Sequence, residues 1–346
     1  MRWRLHRFTL TKEVPLTISR GTTGAVEHLL LELEAGGCMG RGETGGFDTG
    51  QRHFTTQALE AELQAWLPAL DELDLPPPAA WPALLEPLSP PARCAVDLAL
   101  HDCWGQQLGQ PLWRLWGLAR SSCRPTSVTL GLGSVDLVLQ RLERWRSRLP
   151  ATRVKLKLGS PDGLDHDCAL VEAVLPQLQG AELQVDANGG WSLEIARKML
   201  PWLAERGVVL VEQPLAAAVD DEQGFADLQG LAPIPLVADE SCWGVEDLLR
   251  LAPHVQGVNL KLLKTGGLGE AWLMARLARR LGLQLMLGCY SDSALLNGAA
   301  AQLLPLVEWP DLDSHLNLID DPFYGPLLDG DLLQPGDGLG LGVSQC

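Results

Sequence analysis

Two lysines stand two residues apart in TRVKLKLGS, residues 152–160, inside a run that otherwise alternates as a strand does. Lysine is rarely buried without a partner, because an ammonium stripped of water either costs several kcal/mol or loses its proton. A strand that aims Lys155 and Lys157 at one face therefore needs a use for them. Carboxylates recur in comparable settings. Asp186 closes LQVD, Glu212 closes VVLVE and Asp239 closes PLVAD, each after an apolar run, with Asn188, Gln213 and Glu240 just beyond. Lys261 and Lys264 follow GVNL, and WPDLD carries Asp311 and Asp313.

Three anions in one small volume repel unless a cation neutralises them. Hard oxygen donors that leave positions open for water and substrate favour Mg²⁺ over zinc. A lysine buried near such a cation drops from about 10.4 towards neutrality and becomes a usable base. Together these groups suit removal of a proton α to a carboxylate. The cation offsets the charge on the enediolate oxygens as it develops, one lysine takes the proton, and the opposite one returns a proton to the other face. The plainer readings are helix caps for the single acids and an exposed edge strand for KLK. Three acids in register, with a third lysine facing the pair, argue against both.

The elements that would position these groups form a rhythm. Short apolar strands start near Ser127, Val154, Leu183, Val208, Leu236, Val258, Leu283 and Trp309, about 26 residues apart. The first seven are each followed by a helix-like stretch, such as SLEIARKMLPWLAERG or GEAWLMARLARRLG. About eight such units predict an α/β fold of the (β/α)8 type, a modified TIM barrel with its chemistry at the carboxyl ends of the strands. An open doubly wound sheet would carry a glycine fingerprint after its first strand, and LGLGSVDL offers only G-x-G. On adjacent strands about 4.8 Å apart, Asp186, Glu212 and Asp239 converge, and Lys261 stands across the mouth from Lys155 and Lys157.

Residues 1–123 read differently, as an α+β capping domain. VEHLLLELEAGGCMGRGET is a hairpin signal, and two helical stretches, TTQALEAELQAWLPAL and PARCAVDLALHDCWGQQLG, are separated by a proline-rich segment. Residues 124–314 make the barrel, and the tail 315–346 is expected to pack back on the cap. With 43 acidic against 27 basic side chains the net charge is −16, which disfavours nucleic acid and anionic membrane surfaces as partners. The eight cysteines contain no C-x-x-C pair, no run reaches the ~20 apolar residues of a membrane span, and MRWRLHRFTL lacks a secretory apolar core. A cytoplasmic protein with reduced thiols is the expectation, and a homo-oligomer is compatible with it.

The motifs KLK, VDANGGW, VEQPL, ADES and NLKLLKTGG, in that order and at barrel spacing, resemble those of the enolase superfamily. The similarity lies with the branch of muconate cycloisomerases, o-succinylbenzoate synthases and dipeptide epimerases, and runs from about residue 8 to about residue 320. The resemblance implies acid/base roles for Lys157 and Lys261 and one Mg²⁺ held by Asp186, Glu212 and Asp239. It makes Lys155 an auxiliary that helps hold the substrate carboxylate, and it places Asn188 and Glu240 close behind the metal. Asp311 and Asp313 match the D-x-D with which the epimerases bind a dipeptide's α-ammonium. In VPLTISRG, Arg20 matches a cap-loop arginine that meets a side-chain carboxylate. Two departures bear on specificity. GCYSDS puts Tyr290 and Asp292 where methionine and glutamate are usual, and Ser314 and His315 stand in place of Gly-Pro.

The resemblance thus implies an isomerase that epimerises a dipeptide by 1,1-proton transfer at the C-terminal α-carbon, with L-Ala-D/L-Glu from cell-wall peptide recycling as the natural candidate. An o-succinylbenzoate synthase or an N-acylamino acid racemase would use the same lysines and metal. A non-catalytic barrel would have lost a lysine or an acid, and none is missing.

Overall fold

Apolar strands alternating with amphipathic stretches become, in a computed structural model describing residues 1–71, 73–218, 221–231 and 233–346, a ring of eight parallel strands. They are Val128–Leu130, Arg153–Lys157, Glu182–Asp186, Leu210–Glu212, Leu236–Ala238, Gly257–Leu260, Gln284–Gly288 and Trp309–Asp311, numbered here one to eight. Each starts within two residues of its expected position. Neighbours pair in chain order, and the Ser127 N–H donates to the Pro310 carbonyl at 2.9 Å, joining strand eight to the residue before strand one. The barrel fold is therefore present.

The helices follow from their sequences. Leu193–Glu205 starts where the Ser192 hydroxyl accepts from the Ile195 N–H at 3.2 Å, and it buries Ala196, Met199, Leu200 and Leu203. That three-and-four spacing is one helical face. The main apolar core lies between strands and helices. A smaller one, Leu210, Val237, Met286 and Trp309, fills the barrel interior.

The cap is a three-stranded antiparallel sheet, Arg2–Ile18, Gly21–Ala35 and Cys38–Gly45, covered by the helix Pro90–Gln107. Gly40 and Gly42 let that helix lie directly on the third strand, since a Cβ there would stand 2.0 Å and 1.8 Å from the carbonyl oxygens of Ala99 and Ala95. The cap loop expected around VPLTISRG is instead a hairpin. Ile18 pairs with Gly21 across a turn made by Ser19 and Arg20, with a bulge between Thr11 and Leu16. Backbone twist plus that bulge bends the hairpin tip over the barrel.

Buried acids tie cap to barrel. Asp97 accepts from the Leu268 N–H at 2.6 Å, where the helix Leu268–Arg280 begins. Glu43 accepts from the N–H groups of Ser293 and Leu296 at 3.1 and 3.2 Å and from His28 Nδ1 at 2.7 Å. Carboxylates belong at helix N-termini, where N–H groups are unpaired. The tail divides its contacts. Ile319 donates to the Thr11 carbonyl on the cap, whereas the Asp331 carboxylate accepts from Thr152 N–H at 2.7 Å beneath strand two.

Candidate active site

Strand register places the acids. Lys157 pairs with Asp186 and Asp186 with Glu212 across strands two, three and four. Glu212 pairs with Val237, so Asp239 sits one strand over and two residues higher. Lys261 follows strand six directly. Along the barrel wall the order is therefore Lys157, Asp186, Glu212, Asp239, Lys261, with an amine at each end of a carboxylate row.

Each carboxylate faces an amine. Lys157 donates to Asp186, Lys155 to Glu212, and Lys261 to Asp239 at 2.7 Å. Lys264 is a fourth lysine in the cluster. It is fully buried and donates to Asp239 Oδ1 at 2.6 Å and to the Asn259 carbonyl at 3.0 Å. Asn259 in turn donates to Glu212 at 2.6 Å. Neither Asn259 nor the role of Lys264 was drawn from the sequence. An amide and a second lysine flanking Lys261 in NLKLLK were the available signal, and a barrel interior has room for polar groups only when they pair.

The backbone is shaped to hold this cluster. Asn188 and Gln213 adopt φ of 44° and 35°, beyond the ends of strands three and four. Left-handed residues other than glycine are held in place by their surroundings. Asn188 turns its amide onto Asp186 at 3.0 Å and Glu240 at 3.2 Å, and Gln213 accepts from the Asp239 N–H at 2.9 Å. Arg20, from the hairpin tip, donates to Glu240 at 2.8 Å and to the Asn188 carbonyl at 2.8 Å. Its guanidinium is thus engaged by the protein.

Asp311 and Asp313 differ sharply. Asp311 is held by Lys155 at 2.6 Å and by the Ser127 hydroxyl at 2.5 Å. Asp313 accepts from the Thr129 N–H at 2.6 Å and has no cation partner among the described residues. Burial first and the Asp311 charge next push its carboxyl up to about 6. It lines a small pocket with Lys12, Thr129, Tyr290 and Ser314. Of the two acids, Asp313 is the one without an amine partner among the described residues. Lys155, 1% exposed, sits under the acids as their counter-ion.

Burial by itself would lower the Lys261 amine, but Asp239 overrides it and the amine stands well above its ordinary value. Glu212 moves up to about 8, through burial and then the Asp186 charge, against the pull of Lys155. Among the described residues no three acidic, histidine or cysteine side chains converge closely enough to hold a metal as they stand, because each acid is turned to a lysine. The donor set nonetheless fits a hard divalent cation. Its members are oxygens, burial and then the Asp186 charge raise Glu212, and Asn188 Oδ1 and Glu240 Oε2 are buried without partners.

Residues 4–117 match the mandelate racemase/muconate lactonizing enzyme N-terminal domain, and residues 138–345 match the enolase C-terminal domain-like family. The chain belongs to the enolase superfamily. It is an isomerase, as the full-length relatives named epimerases are. A hydrophobic dipeptide epimerase of Roseobacter litoralis is 38% identical over 99% of this chain and 98% of its own. The L-Ala-D/L-Glu epimerase of Bacillus subtilis, in a substrate-liganded structure, has a TM-score of 0.91 at 25% identity and covers 99% of this chain and 98% of that one. The Enterococcus faecalis dipeptide epimerase complexed with Mg and L-Leu-L-Tyr has a TM-score of 0.90 at 27% identity, covering 99% of each chain. Among the described residues no helix is long and apolar enough to cross a membrane.

Asp292, one of the departures from the superfamily pattern, has a consequence for stability. Burial pushes its carboxyl up to about 6 from 3.8, while it accepts from the Tyr290 N–H at 3.1 Å. A raised folded-state value means that the folded protein binds the proton more tightly than the unfolded chain. Stability contributed by protonation is complete below about pH 4 and is lost as pH rises to about 6. Asp292→Asn keeps the acceptor and removes that loss, up to about 3 kcal/mol at 1.36 kcal/mol per unit. Denaturant unfolding of both proteins at pH 4 and pH 7 should show the variant gaining on the native protein at the higher pH. An equal difference at the two values would count against it.

Proposed function

We propose that the enzyme is a Mg²⁺-dependent dipeptide epimerase that inverts the α-carbon next to the C-terminal carboxylate. The observation that carries this reading is the order along the barrel wall, with Lys157 and Lys261 at the two ends of the Asp186–Glu212–Asp239 row. A divalent cation held by those three acids would offset the charge gathering on the substrate carboxylate as its α-proton leaves. Lys157 removes the proton from one face, its amine becoming an ammonium, and the Lys261 ammonium delivers a proton to the opposite face. In the reverse direction the roles exchange. Asp313 takes the α-ammonium of the first residue, and its lone negative charge disfavours the dianionic substrate of an o-succinylbenzoate synthase. Residues 1–123 act as the cap over the barrel 124–314, bringing Arg20 onto Glu240.

The second residue of the dipeptide is apolar rather than glutamate. Arg20 is already occupied by Glu240 and Asn188, and an aromatic group of Phe47, Phe54, Trp243 and Tyr290 borders Lys261. The hydrophobic dipeptide epimerase relatives point the same way. Incubation with Mg²⁺ and a dipeptide library in D₂O, read by mass spectrometry, should place deuterium at the C-terminal α-carbon, faster for L-Ala-L-Leu or L-Ala-L-Phe than for L-Ala-L-Glu. Dehydration of a succinylbenzoate precursor without any dipeptide exchange would overturn the assignment.

A further inference from the structure

Tyr290 occupies the position after strand seven where the superfamily pattern has methionine, and its ring lies against the working end of Lys261. The Lys261 ammonium is 4.4 Å from the ring centroid. Behind that ring Phe47 of the cap stacks at 4.2 Å with planes 22° apart. Phe47 is itself backed by Phe54 at 5.4 Å and Trp243 at 5.9 Å, and the Trp243 indole N–H donates to the Glu240 carbonyl at 2.8 Å. The ring has nowhere to retreat.

Gly288, two residues earlier, shapes the other wall. A Cβ there would stand 3.0 Å from Lys261 Cε and 2.7 Å from both amide atoms of Asn259. The lysine stem therefore runs in a slot, bare backbone on one side and an aromatic face on the other. A lysine has a flexible four-carbon stem, and a misplacement of about 1 Å at a reacting group can cost 10²-fold in rate.

We propose that Tyr290 is a positioning residue for Lys261: its aromatic face, buttressed by Phe47, holds the amine on its own side of the substrate α-carbon. The assignment rests on the acid/base reading of Lys261 given above, and it ties that lysine's placement to a seated cap. Its ring, not its hydroxyl, carries the role.

Epimerisation and α-proton exchange in D₂O separate the two lysines. Exchange of one epimer needs only the lysine that removes its proton, whereas inversion needs both. Tyr290→Leu should lower epimerisation about 10- to 100-fold while the exchange begun by Lys157 falls less than about threefold. Tyr290→Phe, which keeps the ring, should keep epimerisation within about threefold of the native rate. Parallel loss of both reactions in Tyr290→Leu, no loss at all, or a Phe variant as impaired as the Leu variant would each overturn the assignment. If Tyr290→Leu fails to fold, Phe47→Leu loosens the same ring from behind and should show the same split at smaller size, parallel loss again counting against it. A native enzyme that exchanges no dipeptide removes the epimerase reading itself, and this assignment with it.

Discussion

Lys261→Gln is expected to cut epimerisation by about 10³-fold or more while leaving one epimer still able to exchange its α-proton with solvent. Lys157→Gln should do the same with the other epimer. The argument is topological. Lys157 lies on strand two and is held by Asp186 of strand three, whereas Lys261 follows strand six and is held by the Asp239 carboxylate beyond strand five. Glu212 stands between them, so a substrate carboxylate directed at the acid row has one amine on each side. Neither substitution should empty the cluster of charge. Asp239 keeps Lys264 at 2.6 Å, and Asp186 keeps both donors of Asn188, at 2.8 and 3.0 Å. The two variants, each incubated in D₂O with the L,L and L,D forms of one apolar dipeptide, give four exchange rates. A crossed pattern, each variant retaining the epimer the other loses, is the expected result. Loss of exchange from the same epimer in both variants would mean that the lysines act from one side, and the two-base reading would fail.

How much of this was legible in the sequence depended on how local the cause was. The eight strands and their helices announce themselves through short apolar runs and caps such as Ser192, because each element buries its own face. The row of acids was legible for a related reason. Strand ends in a barrel share a rim, so residues at equivalent points of successive repeats meet. Pairing across the barrel was not legible. Nothing in KLK says that Lys155 reaches past its neighbour to Glu212 and Asp311, and nothing in DLD says that Asp311 will be occupied while Asp313 meets no amine among the described residues. The same holds for Arg20, whose partner Glu240 is 220 residues away. Burial lowers the Lys261 amine while the anions nearest to it, Asp239 first, raise it by more, and neither could be read from NLKLLK alone. Tyr290 could be noticed as a departure, but its ring acquires a place only when Phe47 of the cap is brought down on it.

Lys155→Met is expected to be the most destabilising single change at the site, by about 3–5 kcal/mol. Methionine nearly fills the volume of the lysine stem, so packing is not the main loss. What remains is two carboxylates, Glu212 and Asp311, in a place where the lysine is 1% exposed and solvent does not reach. Asn259 still donates to Glu212 and Ser127 to Asp311, but a neutral donor does not replace the ammonium that bridged them. Breaking a buried pair leaves uncompensated charge, which costs far more than the intact pair contributes relative to an apolar substitute. At about 1.4 °C per kcal/mol for a chain of 346 residues, the melting temperature should fall by roughly 4–7 degrees. Removing one stranded anion should then recover part of the loss. The double variant Lys155→Met with Asp311→Asn is expected to be more stable than Lys155→Met alone, a coupling of about 0.5–3 kcal/mol. The pH dependence gives an independent check. Without the lysine, both carboxyls would titrate higher in the folded protein than in the unfolded chain, so the deficit should shrink as pH falls towards 5 and widen towards 8. A single variant that melts within a degree or two of the native protein, with no change in its pH profile, would show that Lys155 is not the counter-ion that holds the acid row together.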